Sequence, residues 1–132
     1  MFISFQEMLA RARLNAAKSS VTNVEFHQSR INSLPLPAES VDCVISNCVI
    51  NLVPGSDKPT VFSEIFRVLK AGGRVAISDI LEKKPMGEAM RQDMGLLVGC
   101  ISGASAVEEY EAWLRKAGFQ GAFQFQPAEE RA

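Results

Sequence analysis

Two cysteines carry the chemistry that this sequence could perform. Cys48 closes the apolar run Val41-Asp42-Cys43-Val44-Ile45-Ser46-Asn47-Cys48-Val49-Ile50-Asn51-Leu52, and Cys100 lies in the small-residue stretch Gly99-Cys100-Ile101-Ser102-Gly103-Ala104. Thiolates are soft donors, so a pair of them selects a soft metal or metalloid. Being far apart in sequence, the two can meet only through folding, at the carboxyl edge of a sheet where α/β proteins hold ligands. The alternative for each is a cysteine that packs as a small hydrophobe. Cys43 shares strand parity with Val41 and Ile45 and is expected in the core, a third sulfur donor being its other reading. Asn47 ends the strand, where its amide can reach a ligand or simply form a turn. His27, the single histidine, follows a short apolar stretch and reads as exposed or hydrogen-bonded rather than catalytic.

The elements that must place these residues follow from periodicity. Apolar side chains at Phe5, Met8, Leu9, Ala12 and Ala16 among strong helix formers predict a helix from about Phe5 to Lys18. After the breaker Ser19 to Asn23, Val24-Glu25-Phe26 reads as a short strand and Ile31 to Pro37 as a turn-rich loop. Val41 to Ser46 is a second strand, whose near-continuous apolar character predicts burial on both faces, as in a parallel sheet. Asp57 can cap the next helix, with Pro59 in its first turn; Val61, Phe62, Ile65, Phe66, Val68 and Leu69 form its stripe, and Gly72-Gly73 stops it. Arg74 to Ile80 is then a third strand, and strand, helix, strand predicts a parallel crossover. A helix from about Met86 to Val98 follows. Ser105-Ala106-Val107-Glu108 matches a capping box for a helix that ends at Gly118, with Tyr110, Trp113 and Leu114 facing the core, and Phe119 to Phe125 alternates like a last strand.

Length and composition bound the function. A chain of 132 residues, 47% apolar with formal charge −1, fits one small soluble domain with no bias toward nucleic acid. No apolar run approaches the roughly 18 residues of a membrane span, and the amino terminus lacks the order of a signal peptide, so a cytoplasmic location is expected. Three cysteines without zinc spacing favour reduced thiols over a disulfide framework. Gly72-Gly73 is no phosphate loop, because no Gly-x-Gly-x-x-Gly pattern is present in the sequence.

Taken in order, Ser46-Asn47-Cys48-Val49-Ile50-Asn51-Leu52, Phe66-Arg67-Val68-Leu69-Lys70 with Gly72-Gly73-Arg74, Ile77-Ser78-Asp79, and Gly99-Cys100 with Ser102-Gly103 resemble the arsenite methyltransferases. The likeness runs from about Glu7 to Phe125. It implies an α/β chain with an incomplete Rossmann-like class I methyltransferase fold: a mostly parallel sheet lacking the first strand and the glycine-rich loop. Residues 1–132 would form a partial methyltransferase domain, from the family's second helix to the start of its C-terminal region. The resemblance further implies S-adenosylmethionine as cofactor, with Asn47 and Ile31 beside it, and Cys48 and Cys100 as catalytic residues that ligate trivalent arsenic. A small thiol or thioredoxin-type reductant is the implied partner, with no nucleic acid and no membrane. Two or three sulfurs in place of hydroxides would raise electron density on arsenic, whose lone pair carries no proton, so the reaction needs alignment and exclusion of water rather than a general base.

Departures from the family pattern set further expectations. The glycine-rich turn is missing, Ile3 falls where an acidic residue would bind the ribose hydroxyls, and Arg30 falls where one would lie near the adenine. Each unmatched polar contact costs roughly 1–3 kcal/mol. Without the strands that would join Val24 to Val41, about five buried apolar side chains are lost at roughly 1.5–3 kcal/mol each, comparable with a domain's whole stability. The expectation is an impaired, truncated chain, one whose sheet gap is filled by self-association or a swapped strand, or a poorly stable monomer. Two other functions stand beside arsenite methylation: a non-catalytic metalloid-binding remnant, and a methyltransferase for a small organic substrate in which the cysteines only pack.

Overall fold

The structure, a computed structural model, describes residues 5–82, 87–92 and 103–121. Helix α1 spans Phe5–Lys18, with Glu7 in its first turn and Lys18 in its last, charges that complement the helix dipole. None of its side chains is buried. The expected strand at Val24-Glu25-Phe26 does not form, since these residues pair with no other strand. An extended segment becomes a strand only where a neighbour accepts and donates its backbone hydrogen bonds, and among the described residues none lies alongside.

The loop from Ile31 to Pro37 is held by a clamp from the next helix, α2 (Lys58–Val68). Glu64 accepts two hydrogen bonds from Arg67, Nε at 2.8 Å and Nη2 at 2.7 Å, and another from the Leu34 amide at 2.7 Å. Arg67 Nη2 also donates to the Leu36 carbonyl at 2.9 Å. The Arg67 guanidinium, through its hydrogen bonds to Glu64 above all, holds the Glu64 carboxyl below the usual carboxylate range. Asp57 occupies the position before α2, but its backbone carbonyl and not its side chain receives the first amides.

Strands β1 (Val41–Asn47) and β2 (Leu69–Ser78) flank α2 and pair in parallel, as the crossover requires. β2 begins directly at Leu69, earlier than expected, so Gly72-Gly73 lies inside the strand rather than stopping the helix. Val41 pairs with Leu69 but Cys43 with Arg74, and the surplus residues bulge through Gly72, whose φ is +78°. A side chain at Gly73 would bring Cβ to 2.8 Å from the Lys70 carbonyl oxygen. The same irregularity breaks the parity of β1. Cys43, expected in the core with Val41, is exposed, and burial on both faces is not seen: Val41 and Val44 pack inward while Ile45 is 80% exposed.

The core forms where α2 meets α4 (Val107–Ala117). Val61, Phe62, Ile65 and Val68 on α2, with Leu69 beyond it, and Tyr110 and Leu114 on α4 are buried, while Phe66 is partly exposed. Phe62 meets Tyr110 edge to face at 5.2 Å and Trp113 at 5.9 Å, as the aromatic reading of that helix expected. α4 ends at Gly118, whose φ of +114° lets its amide and that of Phe119 return to the last turn. Its start lies one residue later than expected. Ala106 precedes the first turn and its amide donates to Glu109 at 2.9 Å, because Ser105 is taken by a short parallel pairing of β3 (Leu81–Glu82) with β4 (Ser105–Ala106). Of the helix expected from Met86 to Val98, a turn α3 (Glu88–Arg91) is described; residues 93–98 lie outside the described residues, as does most of the strand expected from Phe119 to Phe125, whose described part, 119–121, is not strand.

Candidate functional site

Parallel pairing sets the ends of β1 and β2 side by side, with Asn47 opposite Ser78. Both side chains are exposed there. Cys48 follows at once, its amide donating to the Ser78 carbonyl at 2.8 Å and its φ of +53° turning the chain sharply off the strand. That left-handed conformation is uncommon for a residue with a Cβ. Its thiol is exposed at the carboxyl edge of the sheet, where the sequence placed it.

Two residues further, the chain dives inward. Ile50 is wholly buried and so is Asn51, whose Nδ2 donates to the Ile80 carbonyl at 2.7 Å just past β2. Tyr110 closes the cluster from α4, donating to Asp79 Oδ2 at 3.0 Å with its oxygen 3.4 Å from Asn51 Oδ1. Burial pushes the Asp79 carboxyl above the usual range, against the Tyr110 hydrogen bond and the nearby Lys58 charge. Burial likewise raises the Tyr110 phenol, and the Asp79 charge adds to it. Lys58, in the first turn of α2, is buried and donates to the Gly103 carbonyl and to Ser105 Oγ, the latter at 2.8 Å. Gly103 approaches so closely that a Cβ there would fall 1.9 Å from the Asn51 carbonyl oxygen. Gly103, which closes the Cys100 motif, therefore packs on Asn51, in the middle of the 3-10 turn Ile50–Leu52 that follows Cys48.

The other expected site residues divide. Asn47 stands at the sheet edge as expected, whereas the Ile31 side chain is half-buried against the core. Cys100 and Ile3 lie outside the described residues. Arg30 is exposed, and His27 is partly exposed with Glu25 at 3.2 Å. Among the described residues no three side chains of His, Cys, Asp or Glu cluster as metal ligands, and no helix is long and apolar enough to cross a membrane. Sequence reasoning missed Asn51, Lys58 and Asp79 as a polar group, and read Tyr110 as core and Ser105 as a cap without the polar contacts they make to it. Asn51 and Asp79 do fall within the motifs quoted above, which was the available signal.

The edge offers an amide, a hydroxyl and a thiol above the polar group of Asn51, Asp79 and Tyr110. A methyltransferase domain model matches residues 5–118. The arsenite methyltransferase of Halobacterium salinarum is 46% identical over 124 residues, which are 94% of this chain and 31% of that protein. The human arsenite methyltransferase is 38% identical over 101 residues, 76% of this chain and 26% of that protein. Among solved structures, an arsenic(III) S-adenosylmethionine methyltransferase from Chlamydomonas reinhardtii superposes with a TM-score of 0.70 at 34% identity, covering 86% of this chain and 39% of that one. The chain belongs to the methyltransferase domain family, and its parallel strands and helices are part of a Rossmann-like methyltransferase fold. It spans about a third of the length of the curated relatives it matches.

Proposed function

We propose that this chain is the thiolate-bearing part of an arsenite methyltransferase, with Cys48 and Cys100 as ligands of trivalent arsenic. The observation that carries this reading is the packing of Gly103, three residues after Cys100, on Asn51, three residues after Cys48. Asn47 and Ile31 would hold S-adenosylmethionine, which supplies an electrophilic methyl group; the exposed Asn47 amide fits polar groups of the cofactor, and Ile31 contributes an apolar edge. The chain's own work is to present thiolate where the sheet ends and to fix its direction through the bent Cys48 backbone. No proton transfer is asked of a side chain, because the lone pair of trivalent arsenic carries no proton to remove. A small thiol or a thioredoxin-type protein keeps the cysteines reduced between cycles.

Calorimetric titration with sodium arsenite and, separately, with S-adenosylmethionine tests the reading. Arsenite should bind the wild-type chain and weaken at least about 10-fold in Cys48→Ser and in Cys100→Ser, since even loss of an outer-shell partner costs about that much. Arsenite binding without S-adenosylmethionine binding would favour a non-catalytic metalloid binder. Binding unchanged in the double variant would overturn the arsenic reading and favour a small organic substrate.

A further inference from the structure

Lys58 stands under two local penalties. A cation in the first turn of a helix meets the positive end of the dipole, and a lysine that is 2% exposed gives up its water. Its side chain instead crosses to a segment more than forty residues away, where it donates to the Gly103 carbonyl and the Ser105 hydroxyl. A buried charge is a weak source of stability, so its role here is read from what it holds in place. The arrangement here is specific. Lys58 seats residues 103–105, Gly103 lies against the Asn51 carbonyl with no room for a Cβ, and Asn51 is tied by its own amide to Ile80. The contacts run from Lys58 through Gly103 to Asn51, three residues after Cys48.

We propose that Lys58 is a positioning residue for the thiol site: by holding Gly103 and Ser105 it presses this segment onto Asn51 and so fixes the Cys48 turn for bidentate binding of trivalent arsenic. The inference rests on the arsenic reading above. A two-point sulfur grip depends on how well the second thiol is held relative to the first, whereas reaction of one thiol with a monofunctional reagent does not. Removing the latch should therefore weaken bidentate binding selectively.

The test compares wild type, Lys58→Met and Ser105→Ala for arsenite affinity by calorimetry, and for the rate at which iodoacetamide labels Cys48, followed by peptide mass spectrometry. Lys58→Met should weaken arsenite binding about 10-fold or more, the scale for losing an outer-shell support, and Ser105→Ala should weaken it less. Labelling of Cys48 should stay within about twofold in both, which a general loosening of the fold would not leave unmoved. Arsenite affinity within about twofold of wild type in a folded Lys58→Met chain overturns the proposal; should that variant fail to fold, unchanged affinity in Ser105→Ala overturns it. Failure of wild type to bind arsenite overturns the arsenic reading itself, and the positioning role with it.

Discussion

Between α2 and α4, Val61 and Phe62 are wholly buried and Tyr110 and Leu114 nearly so; along α1 and β1, Phe5, Met8 and Ile45 are 71%, 56% and 80% exposed. Both regions carry amphipathic patterns of similar apolar content. What separates them is a counter-surface. α2 has α4 and the inner face of the sheet against it, while α1 buries no side chain and the outer face of β1 meets no second layer among the described residues. Apolar periodicity tells which face of an element will bury if something covers it, and the covering element is a separate fact. The candidate site lies on the seam between the regions: Cys48 is exposed, and Asn51, three residues on, is in the packed half.

The contrast can be broken first in the packed half. Phe62→Ala removes the ring that Tyr110 and Trp113 pack against and should cost about 3–5 kcal/mol in urea unfolding, enough to abolish a cooperative transition in a marginal chain. A loss under about 1 kcal/mol would mean that this region is no tighter than α1. Next in size, Gly118→Ala forces a Cβ into a left-handed cap and to within 2.7 Å of the Phe66 ring, and should lower stability by about 1–2 kcal/mol by the same measurement.

A smaller effect is expected from the buried carboxyl. Burial raises the folded-state pKa of Asp79, so the folded chain keeps this proton to higher pH than the unfolded one. Its contribution is greatest at low pH and declines as pH rises through the folded pKa; Glu64, held low by Arg67, has the opposite sign. Unfolding free energies over about pH 4 to 7 should therefore show that Asp79→Asn removes a downward slope present in wild type. A slope unaltered by the substitution would mean that Asp79 is as well solvated as a surface residue.

Smallest of all should be Ile45→Thr on the uncovered face of β1, within about 0.5 kcal/mol. A loss above about 2 kcal/mol, or a sedimentation coefficient that falls on substitution, would show that this face is covered in solution by a second copy through the open sheet.

Long, locally determined features were legible in the sequence. The helical positions Val61, Phe62, Ile65 and Val68, the helix from Phe5 to Lys18 and the left-handed stop at Gly118 depend on residues within a few turns of one another, and they stand in the structure, while Leu69 opens β2 and Phe66 is partly exposed. Cys43 was misread because its parity with Val41 was carried straight across Asp42, where the register with β2 shifts, and Ile45 because burial was expected on both faces of a strand whose outer face meets no second layer among the described residues. The start of β2 was misread because glycines that can stop a helix can equally let a strand bulge. Lys58 was not read at all. Nothing near it in sequence announces that a lysine will be buried, since its partners Gly103 and Ser105 come from the far end of the chain. For the site, the thiol at the strand end was legible from Asn47-Cys48, and the buried polar group beneath it was not, because its members come together only through tertiary packing.

X-ray absorption at the arsenic edge, on the arsenite-loaded chain in buffer without added thiol, probes the sulfur grip most directly. The expected first shell contains sulfur from both cysteines in wild type and loses sulfur to oxygen in Cys48→Ser. A shell of oxygen alone, or a spectrum that Cys48→Ser leaves unchanged, would contradict it.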